Sequence, residues 1–420
     1  MWYIPTGLDI WNQLLGKAPG HYVRLYEVKT EDAMPPVVYW PDQEPEFLEP
    51  APAGAGEGKV SALLERLNEW LTLVQRGEVL RAYRVFLGLL ADPTERQAVL
   101  AQLAFAGLID VQDRMLFNRS YTTGHKSFRA RATIELGGEV GWDAAHDVVY
   151  AGVPDMAVGP RWHSTYEMAA NVCAEAFAGG DHALLANSGS FSAAEAEAFE
   201  DVLLHSQEPA WTHHVTGLLK AGKGPRQVLD VIQTAAAENI LRTHDPKGFS
   251  MPQHAYEYCN TLRWFYDTFD HQHQVKLLYV AASFVNRASH HQANDPVNGP
   301  RPIDSHAGSG LDQGRLLAAV ERSILALRPD EAVDLTAGYC ALGWDREPLV
   351  GTLALAAAKL GNDPHNQELG LCLVEDYVHS TAPARDRLLL AAAHHTACHR
   401  KYGNPLEAYA RFTEAMGIEA

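Results

Sequence analysis

From Lys59 to about Lys401 the apolar residues of this chain recur at helical spacing, segment after segment, and this pattern more than any other limits what it can fold into. Between Val60 and Arg76, Leu63, Leu64, Leu67, Trp70, Leu71 and Val74 fall on one helix face. Ser192-Ala193-Ala194-Glu195 is a capping-box pattern that opens a helix through Leu204. Ser250 followed by Pro252 starts another that runs to Phe269. Further helices are predicted over residues 81–90, 94–108, 227–243, 275–287, 313–327, 331–342, 348–360 and 384–401, and no fixed-period repeat links them. The spacing predicts an all-α, multi-helix, single-core domain over residues 57–420.

The first 56 residues read differently. Tyr22–Val28 alternates like a half-buried strand, and Val37–Trp40 is a second β-like run. Residues 49–56 are a Pro/Ala/Gly linker. We therefore expect a short β-containing N-terminal arm, long enough to embrace a second copy in a homo-oligomer. Residues 290–310, rich in Asn, Pro, Gly and Ser, form the one long irregular stretch within the helical part.

A formal net charge of -18 opposes nucleic acid and anionic membrane surfaces, because both require clustered Lys and Arg. No apolar run approaches the ~20 residues of a membrane span, and Met1–Pro5 lacks the basic region of a signal peptide. The five cysteines include no C-x-x-C pair and stand in apolar contexts, which predicts buried, reduced thiols and a cytoplasmic setting. Gly217–Lys223 has the spacing of a phosphate loop, but Gly224 stands where the magnesium-binding hydroxyl belongs, so it reads as a helix-ending turn. No G-x-S-x-G elbow supports serine hydrolysis.

The 20 histidines carry the functional signal. On a helix, His125 shares a face with Phe128, Ala132 and Leu136, and Lys126, Arg129 and Arg131 point elsewhere. His163 shares one with Tyr166, Glu167 and Ala170, and His254 with Tyr258, Leu262 and Phe265. His395 and His399 are one turn apart in the last helix. A single inward histidine is usually a hydrogen-bonded core residue. Several from separate helices are what a bundle needs to hold a transition metal, with Glu167 or Glu257 as a carboxylate one turn away. The aromatic stretches 256–258 and 264–266 are core or the wall of a pocket for a flat apolar ligand.

Three of these stretches resemble the questin oxidase-like family, whose fungal members oxygenate anthraquinones and related aromatic polyketides. Gly124–Ala130 followed by Leu136-Gly137 is similar to the family's Asn-His segment before a helix ending in Leu-Gly. Trp162–Tyr166 is similar to its Phe-His segment, and Gln253–Arg263 to its His-Ala-Val-Thr segment ahead of Ala-Leu-Arg. The resemblance spans roughly residues 60–412. The family's C-terminal helix also carries a His-x-x-Lys pattern. Here residues 387–390 or 390–393 fall there and keep neither member, and His394 or His395, one turn on, is the substitute.

Together these readings predict a non-haem iron oxygenase. Its metal ligands would be His125, His163, His254 and His395, and Tyr166, Tyr258 and Trp264 would face an aromatic polyketide-like or other apolar substrate. A reduced nicotinamide is the candidate reductant. Two further readings stand beside it: a non-catalytic helical binding or scaffold protein with structural histidines, and a metal-dependent hydrolase or lyase.

Overall fold

Each helical segment of the sequence becomes a helix by burying one face, and the turns between them fall at Gly, Pro and Asp. The structure, a computed structural model, describes residues 44–48, 57–111, 124–144, 152–158, 165–293, 299–360 and 364–398. It holds 16 helices and no strand among these residues, as the periodicity predicts. The expected strands at residues 22–28 and 37–40 lie outside the described residues, as do His163 and His399.

The chain divides into two compact units. Unit 1 is Met1–Thr165 with Phe265–His271, and unit 2 is Tyr166–Trp264 with Gln272–Ala420.

Unit 1 contains α1 (Glu57–Gln75), α2 (Val79–Leu90), α3 (Arg96–Leu108), α4 (His125–Val140) and α5 (Gly152–Ala157). Trp70, Tyr83, Phe86 and Phe105 are fully buried at its core. Burying each such side chain contributes roughly 1.5–3 kcal/mol or more. The Trp70 indole N–H donates to the Ala82 carbonyl at 3.0 Å and joins α1 to α2. Residues 44–48 lie along α2, where Glu46 N–H donates to the Arg84 carbonyl at 3.0 Å. They come so close that a Cβ on Gly88 would stand 2.3 Å from the Glu46 carbonyl oxygen. A Cβ on Gly107 would stand 2.7 Å from the Lys126 carbonyl oxygen, so α3 and α4 cross at a contact only glycine permits.

Lys126 departs from its expected place. It points off the apolar face of α4, yet it is only 2% exposed. Its ammonium pairs with Asp110 at 2.8 Å and donates to the Val158 carbonyl at 2.8 Å and the Met156 carbonyl at 3.3 Å. The last two close the C-terminal end of α5, where carbonyls lack helical partners.

Unit 2 holds most of α6 (Thr165–Ala176), then α7 (Ala193–His205), α8 (Glu208–Lys220), α9 (Pro225–Leu241), α10 (Ser250–Thr268) up to Trp264, and α11 (Gln274–Ala293). It continues with α12 (Gln313–Leu325), α13 (Pro329–Ala341), α14 (Glu347–Leu360), α15 (Pro364–His379) and α16 (Asp386–Cys398). The capping box is present: the Ser192 hydroxyl accepts from Glu195 N–H while the Glu195 carboxylate accepts from Ser192 N–H. The phosphate-loop-like stretch is the end of α8, with Gly222 at φ +86°. Residues 299–312 are pinned by Arg301, which pairs with Asp330 at 2.9 Å and Asp334 at 3.0 Å. None of the described helices is long and apolar enough to cross a membrane.

Helix α16 is buried on every side from Leu388 to Cys398. It packs against α9, α12, α13, α14 and α15. Across it Gly370 of α15 has no room for a Cβ, which would meet Ala357 Cβ at 2.8 Å and Thr396 Oγ1 at 3.0 Å.

Removing Lys126 takes the cation from the buried Asp110 carboxylate and opens two carbonyls. Lys126→Ala is expected to destabilise the protein by about 3–5 kcal/mol. Chemical denaturation followed by circular dichroism checks this, and a loss below about 1 kcal/mol would refute the role assigned to the pair.

Candidate functional site

The histidines that the structure gathers lie in unit 2, where the end of α9 meets α16. Thr243, Asn239 and the loop to α10 build one wall. Thr243 Oγ1 donates back to the Asn239 carbonyl at 2.8 Å, and the Asn239 amide donates across to the Val285 carbonyl of α11 at 3.0 Å. A short 3-10 turn, Pro246–Phe249, then leads directly into α10.

Successive residues on α16 point about 100° apart, so the neighbours His394 and His395 meet different surroundings. The His394 ring donates Nε2–H to the Thr243 carbonyl at 2.8 Å, and its buried Nδ1 bonds no other described group. His244 stands edge-on to it, with ring centres 5.6 Å apart, and donates to the Gly299 carbonyl at 2.9 Å. Cys398 Sγ lies one turn along, 3.7 Å from His394 Nε2. Burial lowers His394 to a pKa of about 4, only partly offset by its bond to Thr243, so the ring is neutral. His395 is fully buried, edge-on to Phe249 with ring centres 4.9 Å apart. Phe249 thus touches both imidazoles, lying 6.1 Å from His394.

His254 lies on α10, one turn after Phe249. Its Nδ1–H donates to the Ser250 carbonyl, which leaves Nε2 as the lone-pair nitrogen. Glu257 and Thr261 follow on the same face, at 0% and 1% exposure. The opposite polar face of α10 is committed to structure. Arg263 Nε and the Asn260 amide donate to Asp376 Oδ1 at 2.8 and 2.9 Å, and Arg263 also pairs with Glu375 at 2.7 Å.

The remaining predicted residues are placed as follows. His125 begins α4 in unit 1, half-buried, with its ring edge-on to Phe128 at 6.0 Å. His163 lies outside the described residues. Tyr258 is fully buried against Phe284, with ring centres 5.9 Å apart, and Trp264 is half-buried. Tyr166 is half-buried, 6.3 Å from the His273 ring. Beside it, Lys276 pairs with both Asp181 oxygens at 2.7 Å and contacts His273 Nδ1 at 3.3 Å. Burial and the Lys276 charge lower His273 to about 4, so it too is neutral. All five cysteines are free, and only Cys340 is not buried.

Among the described residues no three His, Cys, Asp or Glu side chains are grouped so as to hold a metal ion. The structure does set two buried imidazoles, His394 and His395, against Phe249. Two of their neighbours, His244 and Cys398, escaped the helical-face argument. His244 lies in a loop, where face periodicity says nothing, and Cys398 reads as an ordinary core thiol.

Comparison of the chain with protein-family models, with curated proteins and with solved structures gives no match.

The neutrality of His394 has a measurable consequence. Its folded-state pKa of about 4 lies below the ordinary 6.5, so the unfolded chain takes up the proton first as pH falls. The stability this residue contributes is complete above about pH 6.5 and is lost as pH drops toward 4, by about 3 kcal/mol at most. His394→Gln keeps a donor for Thr243 and is expected to flatten the stability profile between these limits. An unaltered slope in denaturant titrations across this range would count against the assignment.

Proposed function

We propose that this chain is a metal-dependent oxidoreductase acting on an apolar aromatic small molecule, with His254 as a metal ligand in unit 2. One observation carries the reading. The Ser250 carbonyl accepts from His254 Nδ1–H, which makes Nε2 the ring nitrogen with ligand chemistry, in a buried stretch one turn from the buried Glu257 carboxylate. A backbone carbonyl accepting from the other ring nitrogen is the usual way a ligating imidazole is oriented. Mixed imidazole and carboxylate donors suit non-haem iron. The donor chemistry fits, and His395 adds a second buried imidazole in the same unit. A bound redox-active ion would activate dioxygen or polarise a carbonyl group. The chain's own part is to orient the imidazole through Ser250 and keep a carboxylate nearby to hold or release a proton. Tyr166 and Trp264, both half-buried, would offer aromatic surface to a flat substrate with Tyr258 packed behind, and a reduced nicotinamide would supply electrons.

A second reading rests on a specific observation. His244, His394 and His254 each donate to a backbone carbonyl, which is also how structural histidines satisfy themselves in a core. On that reading the protein is a helical binding or scaffold protein. A hydrolase or lyase built on the same metal would turn over without dioxygen.

Metal analysis of the full chain after anaerobic loading with Fe(II), followed by dialysis, separates these readings. The oxidoreductase reading expects about one equivalent retained by the wild type and less than about half in His254→Ala with unchanged circular dichroism. Retention below about half an equivalent in the wild type, or retention unaffected by the substitution, would sink it in favour of the scaffold.

A further inference from the structure

A groove of about 980 Å³ in unit 2 lies between the turn that enters α14 and the ends of α15 and α16. It shares none of its lining with the histidine cluster. One wall is fixed by Arg346, whose guanidinium pairs with Asp386 at 2.9 Å and donates to the Cys340 carbonyl at 2.8 Å and to the Trp344 carbonyl. Trp344 is held edge-on against Tyr339, with ring centres 5.3 Å apart. Tyr339 is anchored in turn, since its hydroxyl donates to the Asp345 carbonyl at 2.6 Å. The indole is therefore pre-positioned, which spares a ligand the cost of ordering it.

Two polar groups in this groove are uncommitted. Arg385 is exposed, and no described carboxylate lies within ion-pairing distance of it, in a chain with 52 Asp and Glu residues. It lies over the Tyr377 ring at 5.0 Å, and its one hydrogen bond, to the Ser380 carbonyl, is long at 3.4 Å. Tyr377 is only 5% exposed, and its hydroxyl bonds no other described group. Burial, followed by the Asp386 charge, raises the pKa of that hydroxyl, so it keeps its proton and acts as a donor.

The rest of the groove narrows the ligand. Asp345 and Glu347 line the same opening, so a second negative charge would meet repulsion. Arg385 already covers the Tyr377 face, so a cation is disfavoured there. Arg346 is committed to Asp386, so Arg385 is the arginine of this lining that pairs with no described carboxylate. We propose that this groove binds a planar aromatic monocarboxylate, its ring against Trp344 and its carboxylate held by the Arg385 guanidinium and the Tyr377 hydroxyl. An ionised Arg–carboxylate contact and stacking on indole supply the recognition. The site is open to solvent, so affinity falls in the micromolar to millimolar range.

Calorimetric titration of the full chain with 2-naphthoate tests this. Naphthalene-2-methanol and naphthalen-2-ylmethylammonium serve as neutral and cationic counterparts. The expected result is saturable binding of one 2-naphthoate per chain, weakened about tenfold in Arg385→Gln and about threefold or more in Tyr377→Phe. The alcohol should bind equally to wild type and Arg385→Gln. Arg328→Gln, at an exposed arginine outside the groove, should leave 2-naphthoate binding unchanged. Matching thermal melts show that the variants are folded. No saturable binding by the wild type, equal 2-naphthoate affinity in Arg385→Gln, or tighter binding of the ammonium compound would each overturn the proposal. The measurement is made on chelator-treated protein, so it stands or falls apart from the metal reading of His254.

Discussion

The arrangement of unit 2 depends on the burial of α16 from Leu388 to Cys398. A helix wrapped by five others has no solvent-facing side on which to place a polar residue. Most of its length answers this with Leu and Ala. His394, His395 and Thr396 do not, and the interior must accommodate them. A buried polar group without a partner costs roughly 1–3 kcal/mol, and a buried charge far more. The outcome is visible at His394, which stays neutral and gives its one proton to the Thr243 carbonyl. That carbonyl lies two residues past Leu241, the last residue of α9. One bond therefore ties a side chain of one helix to the segment that follows another.

Elsewhere the interior solves the same problem with charge. Asp376 is fully buried and would be untenable alone. Asn260 and Arg263, three residues apart on α10, reach it together. Asp230 on α9 accepts from the Thr381 N–H at 2.9 Å and its hydroxyl at 2.6 Å, with Arg226 beside it. The segment leading into α16 is thereby held to α9 before α16 begins. In unit 1, Lys126 and Asp110 play the corresponding part. Such pairs contribute little net stability against apolar replacements of the same shape, but each tolerates only one register of the elements it joins.

These devices explain what the sequence revealed and what it hid. Periodicity found α1, α9, α10, α12, α13, α14 and α16 because each shows an apolar face, and the bounds agree to within a few residues. It did not single out α8 or α15. In α15 the buried face includes Glu368, Gly370 and Asp376, residues that propensity assigns to turns and surfaces. Gly370 is there because two neighbouring helices leave no room for a Cβ, which is a tertiary reason that no local pattern carries. The same failure hid the ion pair of Lys126, since a lysine off the apolar face reads as solvated. For the candidate site, the burial of His254 was legible from its apolar face. The tautomer of His254 and the placing of His244 beside His394 were not, because both depend on carbonyls supplied by loops.

A histidine bonded to a carbonyl is often taken as evidence that it is structural. The contrast between His254 and His394 shows why the bond alone does not decide. His394 commits Nε2 to a carbonyl of another segment, and its buried Nδ1 bonds no other described group. His254 does the reverse: it commits Nδ1 to the preceding turn of its own helix. The first arrangement ties one helix to the segment that follows another. The second ties the ring to its own helix, in the same helical stripe as a buried carboxylate. Burying both is costly, and apolar side chains would fill that stripe more cheaply.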